Sequence, residues 1–508
     1  MNYRRYFGIL LIIAAPFWCQ AQGKWQSRYV KQTKDSSLLY LVDVQGNTIP
    51  DFSGVGYHRQ SMDPPVVRVF KEIRAGGNDD QEMIQSAIDE LSKVPLDHQG
   101  FRGAILLKEG VYKIPGTIKI STSGIVLRGE GEKTRLIATG KGQRKLISVI
   151  GQGNLEEIAG SRVKIYDKYV PVGSRSFRVA ETRGLKKGDA IIVYRPGTAK
   201  WIADLKMDSI AQGEGTVQWQ KDDYNFNFER RITAIKGDTV EIDQPIVMAM
   251  EDQYGGGEIY KYRFEGRINE VGIEELSLES EFVSDTDEDH GWDAIYFNKV
   301  EHAWVRKVIS RNFGYSCVNL GGSSKNITVS ESKCLSPKSQ IIGGRRYSFN
   351  NDGQQNLFMN CYSSEGRHDY VTGAKVCGPN VFYNCVSVNA KADIGPHHRW
   401  AMGTLYDNIV TDGEINIQDR GNWGTGHGWA GVTQVLWNCT AAKASVQQPY
   451  VSGQNYSIGL KGNKTIGRLK GRPEGSWEGN NRNGLEPGSL YIMQLKAAKK
   501  RAPQITGL

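Results

Sequence analysis

The sequence predicts an all-β solenoid of stacked coils, with a helical cap at its N-terminal end and an inserted β-rich subdomain. Three observations carry this. Residues 341–347 (Ile-Ile-Gly-Gly-Arg-Arg-Tyr), 370–376 (Tyr-Val-Thr-Gly-Ala-Lys-Val) and 394–400 (Ile-Gly-Pro-His-His-Arg-Trp) align on one another, each passing from apolar residues through Gly or Pro to a basic residue. Arg346, Lys375 and Arg399 share a column, with separations of 29 and 24. The pair Asn-Cys recurs at 360–361 and 384–385, again 24 apart, and each pair ends a strand-like run. A fixed period in the twenties with short strands is the mark of a solenoid. Equivalent residues of successive coils would lie about 4.8 Å apart, so the shared column predicts a ridge of positive charge.

The chain has 508 residues, 39% of them hydrophobic, with 59 Gly and 16 Pro, enough to bury a large core. Residues 1–21 read as a signal peptide: Arg4 and Arg5, an apolar run over 7–18 too short to span a bilayer, then Cys19-Gln20-Ala21 as cleavage site. Cys19 also raises a lipoprotein reading, against which Pro16-Phe17-Trp18 is a poor lipobox. The expectation is an exported, periplasmic or extracellular monomer without a transmembrane segment. The charge of +9 becomes +7 once Arg4 and Arg5 are removed. A basic exported protein suits a polyanionic partner, here an acidic polysaccharide rather than a nucleic acid. Cys317, Cys334, Cys361, Cys377, Cys385 and Cys439 remain. Cys334, Cys361, Cys385 and Cys439 end comparable runs, which predicts small residues facing into the coil rather than disulfides.

In chain order, 22–154 holds the cap and first coils. Residues 81–91 place Met83, Ile84, Ala87, Ile88 and Leu91 on one helical face, with Asn78 or Asp79 as cap. Strand signals follow over 103–108, 111–120 and 124–128. The Gly-Asn-Asp-Asp turn at 77–80, Ile-Gln-Ser-Ala-Ile-Asp at 84–89, Gly-Val-Tyr-Lys-Ile at 110–114 and Ile-Val-Leu-Arg-Gly-Glu-Gly at 125–131 resemble the N-terminal cap and first coils of pectate-lyase-like right-handed parallel β-helices. The resemblance covers 66–140, and 270–450 by rung pattern. It implies that fold and favours a polysaccharide lyase, including a glycosaminoglycan- or chondroitin-lyase-like member. Such helices also carry hydrolases, epimerases and tailspikes, so the reaction has to come from the residues. Residues 155–265 break the rhythm and read as an inserted subdomain, whose Trp201, Trp219, Tyr224, Phe226 and Phe228 form either its core or a sugar-stacking wall. The main coils return over 266–455. Residues 456–508 close the C-terminal end, with disorder expected from Lys499.

Four of the eight His lie between 368 and 427, among Arg, Tyr and Trp. Cleaving a uronate glycan by β-elimination needs a cation on the carboxylate, a base for the C5 proton and an acid for the leaving oxygen. Arg pairs with carboxylates in two-pronged fashion, and His, Lys or Tyr transfers protons. The catalytic candidates are His397 and His398 as base, Arg399, Lys375 and Tyr370, with Tyr347 as a second candidate acid. Arg345, Arg346, Tyr347, Arg367, His368, Trp400, Arg420, Trp423, His427 and Trp429 are candidate substrate contacts. Asp369 and Asp393, 24 apart, are a candidate Ca²⁺ pair, the acid/base pair of a glycoside hydrolase (with Asp419 as alternative partner), or structural partners of Arg367 and Arg399. Chondroitin- or dermatan-type glycosaminoglycan is preferred over pectin or alginate, because the face is basic and His-rich. The non-enzyme alternative is a glycan-binding or adhesion protein. No P-loop, dinucleotide fingerprint, zinc helix or Gly-x-Ser-x-Gly elbow is present.

Overall fold

The computed structural model describes residues 23–501 apart from Ser36, Ser61 and Asn78. The expected signal peptide, with Cys19, lies outside the described residues, as do 502–508. Two parallel sheets of 13 and 18 strands form the body, the larger wrapping two faces of each coil. Register sets the period. Leu357 pairs with Val381 and Val381 with Leu405, Tyr362 with Val386, and Val371 with Gly395, each a step of 24 residues. The chain therefore returns to the same face once per coil, which is a parallel β-helix. Alternate residues such as Phe349, Tyr370, Phe358 and Phe382 point inward and stack.

The repeated Asn-Cys pair has a physical reason. Asn360, Asn384, Asn408 and Asn438 all sit in the left-handed region, φ 51–56°, which Asn tolerates better than most residues. Their amides bond from coil to coil, Asn384 to Asn360 and Asn438 to Asn408, each at 2.7 Å. The next residue turns inward, where Cys361, Cys385 and Cys439 are buried. Cys334 is displaced from this column, because Lys333 pairs with Tyr362 and Cys334 with Ser363. All six described cysteines are free and buried, and burial pushes the thiols of Cys334 and Cys439 up to about 12. A thiol-alkylating reagent is expected to modify none of the six in the native protein and all six in denaturant, as read by mass. Labelling under native conditions would contradict this packing.

The basic column is only partly right. Lys375 and Arg399 do stack, the Lys375 N–H donating to the Arg399 carbonyl at 2.8 Å. Arg346 does not join them. Phe349, not Ile341, is the partner of Tyr370, so the first aligned piece is eight residues out of register. Ile341 and Ile342 are exposed, in a loop before the strand Phe349–Asn351. The apolar run that imitated a strand there has nothing to pack against.

Helix α1 (Gln81–Leu91) closes the first coil with Ile84, Ala87, Ile88 and Leu91. Met83 is exposed, one step off that face. The Gln81 N–H donates to the Asp79 carboxylate at 3.0 Å. Asp80 instead accepts from the Lys113 N–H at 2.9 Å, tying the helix start to the first coil. Within 156–263 a seven-stranded sheet, antiparallel throughout, stands apart from the coils. Its short helix α2 (Ala199–Asp204) is capped by Thr198, whose hydroxyl accepts from the Trp201 N–H. The five aromatics of this unit are core. Trp201 meets Trp400 edge-to-face at 5.1 Å, and Trp219, Tyr224, Phe226 and Phe228 pack around them. At the other end helix α3 (Leu490–Arg501) continues through Lys499, where disorder was expected. Among the described residues no helix is long and apolar enough to cross a membrane.

Candidate active site

Beside the strands Phe349–Asn351, Tyr370–Thr372 and Asp393–Pro396 lies a cleft of about 550 Å³. Tyr347, Arg367, His368, Asp393, His397, Arg420, Trp423 and His427 line it. They come from four successive stretches that the coil stacks against one another. Tyr347 and His368 each stand two residues before a strand, Phe349–Asn351 and Tyr370–Thr372, and line the opening. The end of the strand Asp393–Pro396 delivers His397, and the glycine-rich loop 421–428 delivers Trp423 and His427. At Gly424 (φ +54°) an added Cβ would stand 2.1 Å from His427 Cε1, so the loop's close approach to the imidazole depends on glycine.

The hydrogen bonds form a chain. Tyr347 Oη and His397 Nε2 are 3.0 Å apart, and His397 Nδ1 and His398 Nδ1 are 2.9 Å apart. His368 Nδ1 lies 2.7 Å from the Asp393 carbonyl, which can only accept, so Nδ1 carries the hydrogen and Nε2 the lone pair. His368 Nε2 and His427 Nδ1 are buried without a partner among the described residues. Arg420 is buried and ion-paired with the Asp393 carboxylate. Its guanidinium also faces Trp423, as does that of Arg468, at 5.7 and 4.7 Å from the ring centre. Trp423 itself is 42% exposed, the one large aromatic of the cleft open to a ligand.

Electrostatics keep the imidazoles neutral. Burial, then the charges of neighbouring His and Arg420, drives His397 far below its ordinary value. Burial with His427 and Arg399 takes His398 down to about 3. Burial lowers His368 and His427 to about 4, with Arg420 adding to it. Burial raises the Tyr347 hydroxyl, partly opposed by Arg367 and Arg420. For Asp393 burial pushes upward, but Arg420 and His368 outweigh it and hold the carboxylate ionised. At neutral pH the cleft therefore offers neutral proton acceptors beside fixed guanidinium charge.

The depressed histidines give stability a sign. Unfolded His protonates near 6.5, and folded His368 only near 4. Between these values the unfolded chain binds more protons, so the His368 contribution to stability is intact above pH 6.5 and falls as pH falls towards 4. The slope is at most about 1.4 kcal/mol per pH unit. Asp293, Asp352 and Asp407, pushed up by burial to about 6, 6 and 7, titrate with the opposite sign in the same range. The test is therefore a difference. Wild type should lose denaturant stability more steeply than His368→Asn between pH 6.5 and 4, and equal slopes would refute it.

Several expected contacts lie elsewhere. Tyr370 is sealed inside the coil, its hydroxyl donating to the carbonyls of Cys361 and Val386, so it cannot meet a substrate. Trp400 and Trp429 are fully buried and dock the inserted subdomain, through Met248 and the Leu205 carbonyl respectively. Arg346 is spent on the Ser339 and Asp285 carbonyls, and Arg345 forms a two-pronged pair with Glu288. Asp369 and Asp393 occupy neighbouring coils but do not converge. Asp369 faces inward between Ser348 and Ser387, and Asp393 is neutralised by Arg420. Neither is left for Ca²⁺, and no group of three acidic, His or Cys residues among the described residues is placed to hold a metal. Asp419 is bound by Arg472 and the Gly421 N–H. Arg399 bonds Thr425, and Lys375 bonds the Asp223 carbonyl; neither lines the cleft. Sequence reasoning missed Arg468, far along the chain, and Tyr315, which stacks on Tyr347 at 5.1 Å. Neither belongs to a repeated motif.

No family model matches the chain, and no curated protein matches it. Solved structures similar in layout include an alginate lyase from Paenibacillus sp. str. FPU-7, at 10% identity, TM-score 0.39, covering 82% of this chain and 99% of that one. A polygalacturonase from Erwinia carotovora ssp. carotovora shows 10% identity, TM-score 0.37 and coverage of 85% and 100%. The tailspike protein gp49 from Pseudomonas phage LKA1 shows 14%, 0.33, and 78% and 70%. At these scores none of them says what this cleft does. By its own strand register the chain is a parallel β-helix, of the kind its cap and first coils resemble.

Proposed function

We propose that this protein is an exported polysaccharide lyase that cleaves a uronate-containing glycan by β-elimination. The observation that carries the proposal is the Tyr347–His397–His398 chain opening on a cleft with Arg367, Arg420 and Trp423. A uronate carboxylate against Arg367 and Arg420 has its charge neutralised, which acidifies the C5–H. The same anion offsets the positive field that depresses His397 and makes it a better base. When the Tyr347 hydroxyl turns from His397 Nε2 to the leaving oxygen, the freed Nε2 lone pair of neutral His397 takes the C5 proton, the C4–C5 double bond forms and the C4–O bond breaks. The Tyr347 hydroxyl protonates the leaving oxygen. The hydrogen bond between the two residues returns the proton from His397 to Tyr347 and closes the cycle. Trp423 offers its face to a sugar ring.

A hydrolase finds less support here. Asp369 and Asp419 are enclosed and Asp393 is ion-paired, so no two free carboxyls among these three face the cleft. A glycosaminoglycan fits the Arg- and His-rich cleft. The test is the ultraviolet absorbance of unsaturated uronate while the protein is incubated with a panel of acidic polysaccharides. Absorbance should rise on at least one of them. New reducing ends without absorbance would replace the lyase by a hydrolase, and unshortened chains on every substrate would leave a binding protein.

A further inference from the structure

A second cavity of about 340 Å³ lies between the inserted subdomain and the same stack of coil turns. Its coil side carries Gly322, Ser323, Asp352, Gln354 and Lys375, and its insertion side Asn225, Asn227 and Phe264. Two backbone hydrogen bonds connect its wall to that of the His cleft. Lys375 lines the cavity, its backbone N–H bonds Arg399, and the Arg399 N–H bonds the His427 carbonyl on the cleft wall. Tyr315 stacks on Tyr347 of the cleft, and the Asn350 amide donates to Asp352 of the cavity.

The charges differ from those of the cleft. Glu229 and Arg267 line the cavity but neutralise each other, with Lys325 and the Tyr262 hydroxyl completing the set on Glu229. Lys375 is drawn aside to the Asp223 carbonyl. Asp352 has only the Asn350 amide, at 3.1 Å, and the Gly373 N–H, with no cation paired to it among the described residues. Asn227 uses its Oδ1 on the Tyr260 hydroxyl, which leaves its amide N–H groups to donate. The Asn227 amide, a serine hydroxyl and an acceptor carboxylate bind hydroxyl and N-acyl groups. A second uronate here would meet the unpaired Asp352, and like-charge contact in a desolvated site disfavours it.

We propose that this cavity is a subsite for an uncharged, hydroxyl- and N-acyl-bearing sugar of the same chain that places its uronate in the His cleft. The substrate is then a heteropolymer of uronate and neutral amino sugar, not a homopolyuronate. This rests on the lyase reading for the cleft, but binding tests it separately from turnover. Calorimetry on the full chain compares a tetrasaccharide alternating uronate and N-acetylhexosamine with a homouronate tetrasaccharide. The alternating one should bind at least about tenfold more tightly, and Asp352→Asn, which keeps shape and removes charge, should shrink that preference several-fold. Asn227→Ala should weaken the alternating ligand alone. Equal binding of the two ligands by wild type, or a preference that both variants leave unmoved while melting as wild type, overturns the subsite. If the preference is found but no glycan yields unsaturated product, the subsite stands and the lyase reading falls.

Discussion

Alanine in place of His397 should lower the elimination rate by about 10²–10⁴-fold, the usual worth of a positioned proton-transfer group. His397 is the middle of the Tyr347–His397–His398 chain, so its loss removes the base and the route by which Tyr347 regains its proton. Tyr347→Phe should cost a similar amount, and the double variant little more than either, because the two act as a unit. The His397 imidazole is buried with both ring nitrogens hydrogen-bonded, so the thermal midpoint of each variant is measured beside its rate. The measurement is the initial rate of unsaturated product formation by each variant. Near wild-type turnover by His397→Ala would remove this residue from the mechanism, and His368, with its unpartnered Nε2, would be examined next.

The second large effect falls on stability. Arg420→Ala should destabilise the fold by about 3–5 kcal/mol, because it leaves the Asp393 carboxylate buried without its cation. Most of this cost is the stranded charge rather than the strength of the pair. The double variant Arg420→Ala/Asp393→Asn should therefore recover much of the stability while losing most of the activity, since Arg367 alone then faces the uronate. Denaturant unfolding monitored by tryptophan fluorescence checks both. An Arg420→Ala protein that unfolds at the wild-type midpoint would mean that water reaches Asp393 and that the site is more open than described.

Sequence alone determined the coil. The 24-residue step, the left-handed Asn corners and the inward Cys are local requirements that recur in several turns, so they leave a periodic trace. It also singled out the stretch that holds four of the eight His, three of which line the cleft. It could not fix the register where a loop imitates a strand, and Arg346 was placed on a ridge it does not join. Nor could it tell which aromatics face a ligand. Trp400, Trp423 and Trp429 look alike in sequence. Two are buried because a subdomain that begins some two hundred residues earlier folds back upon them, and Trp423 is left open. The partnership of Asp393 with Arg420, the stacking of Arg468 on Trp423 and the contact of Tyr347 with His397 were settled only by tertiary structure. Coil stacking brings together residues tens of positions apart, at distances that depend on each loop's length. Periodicity records which face a residue lies on. It does not record which neighbour neutralises its charge, and that neighbour decides what the residue can do.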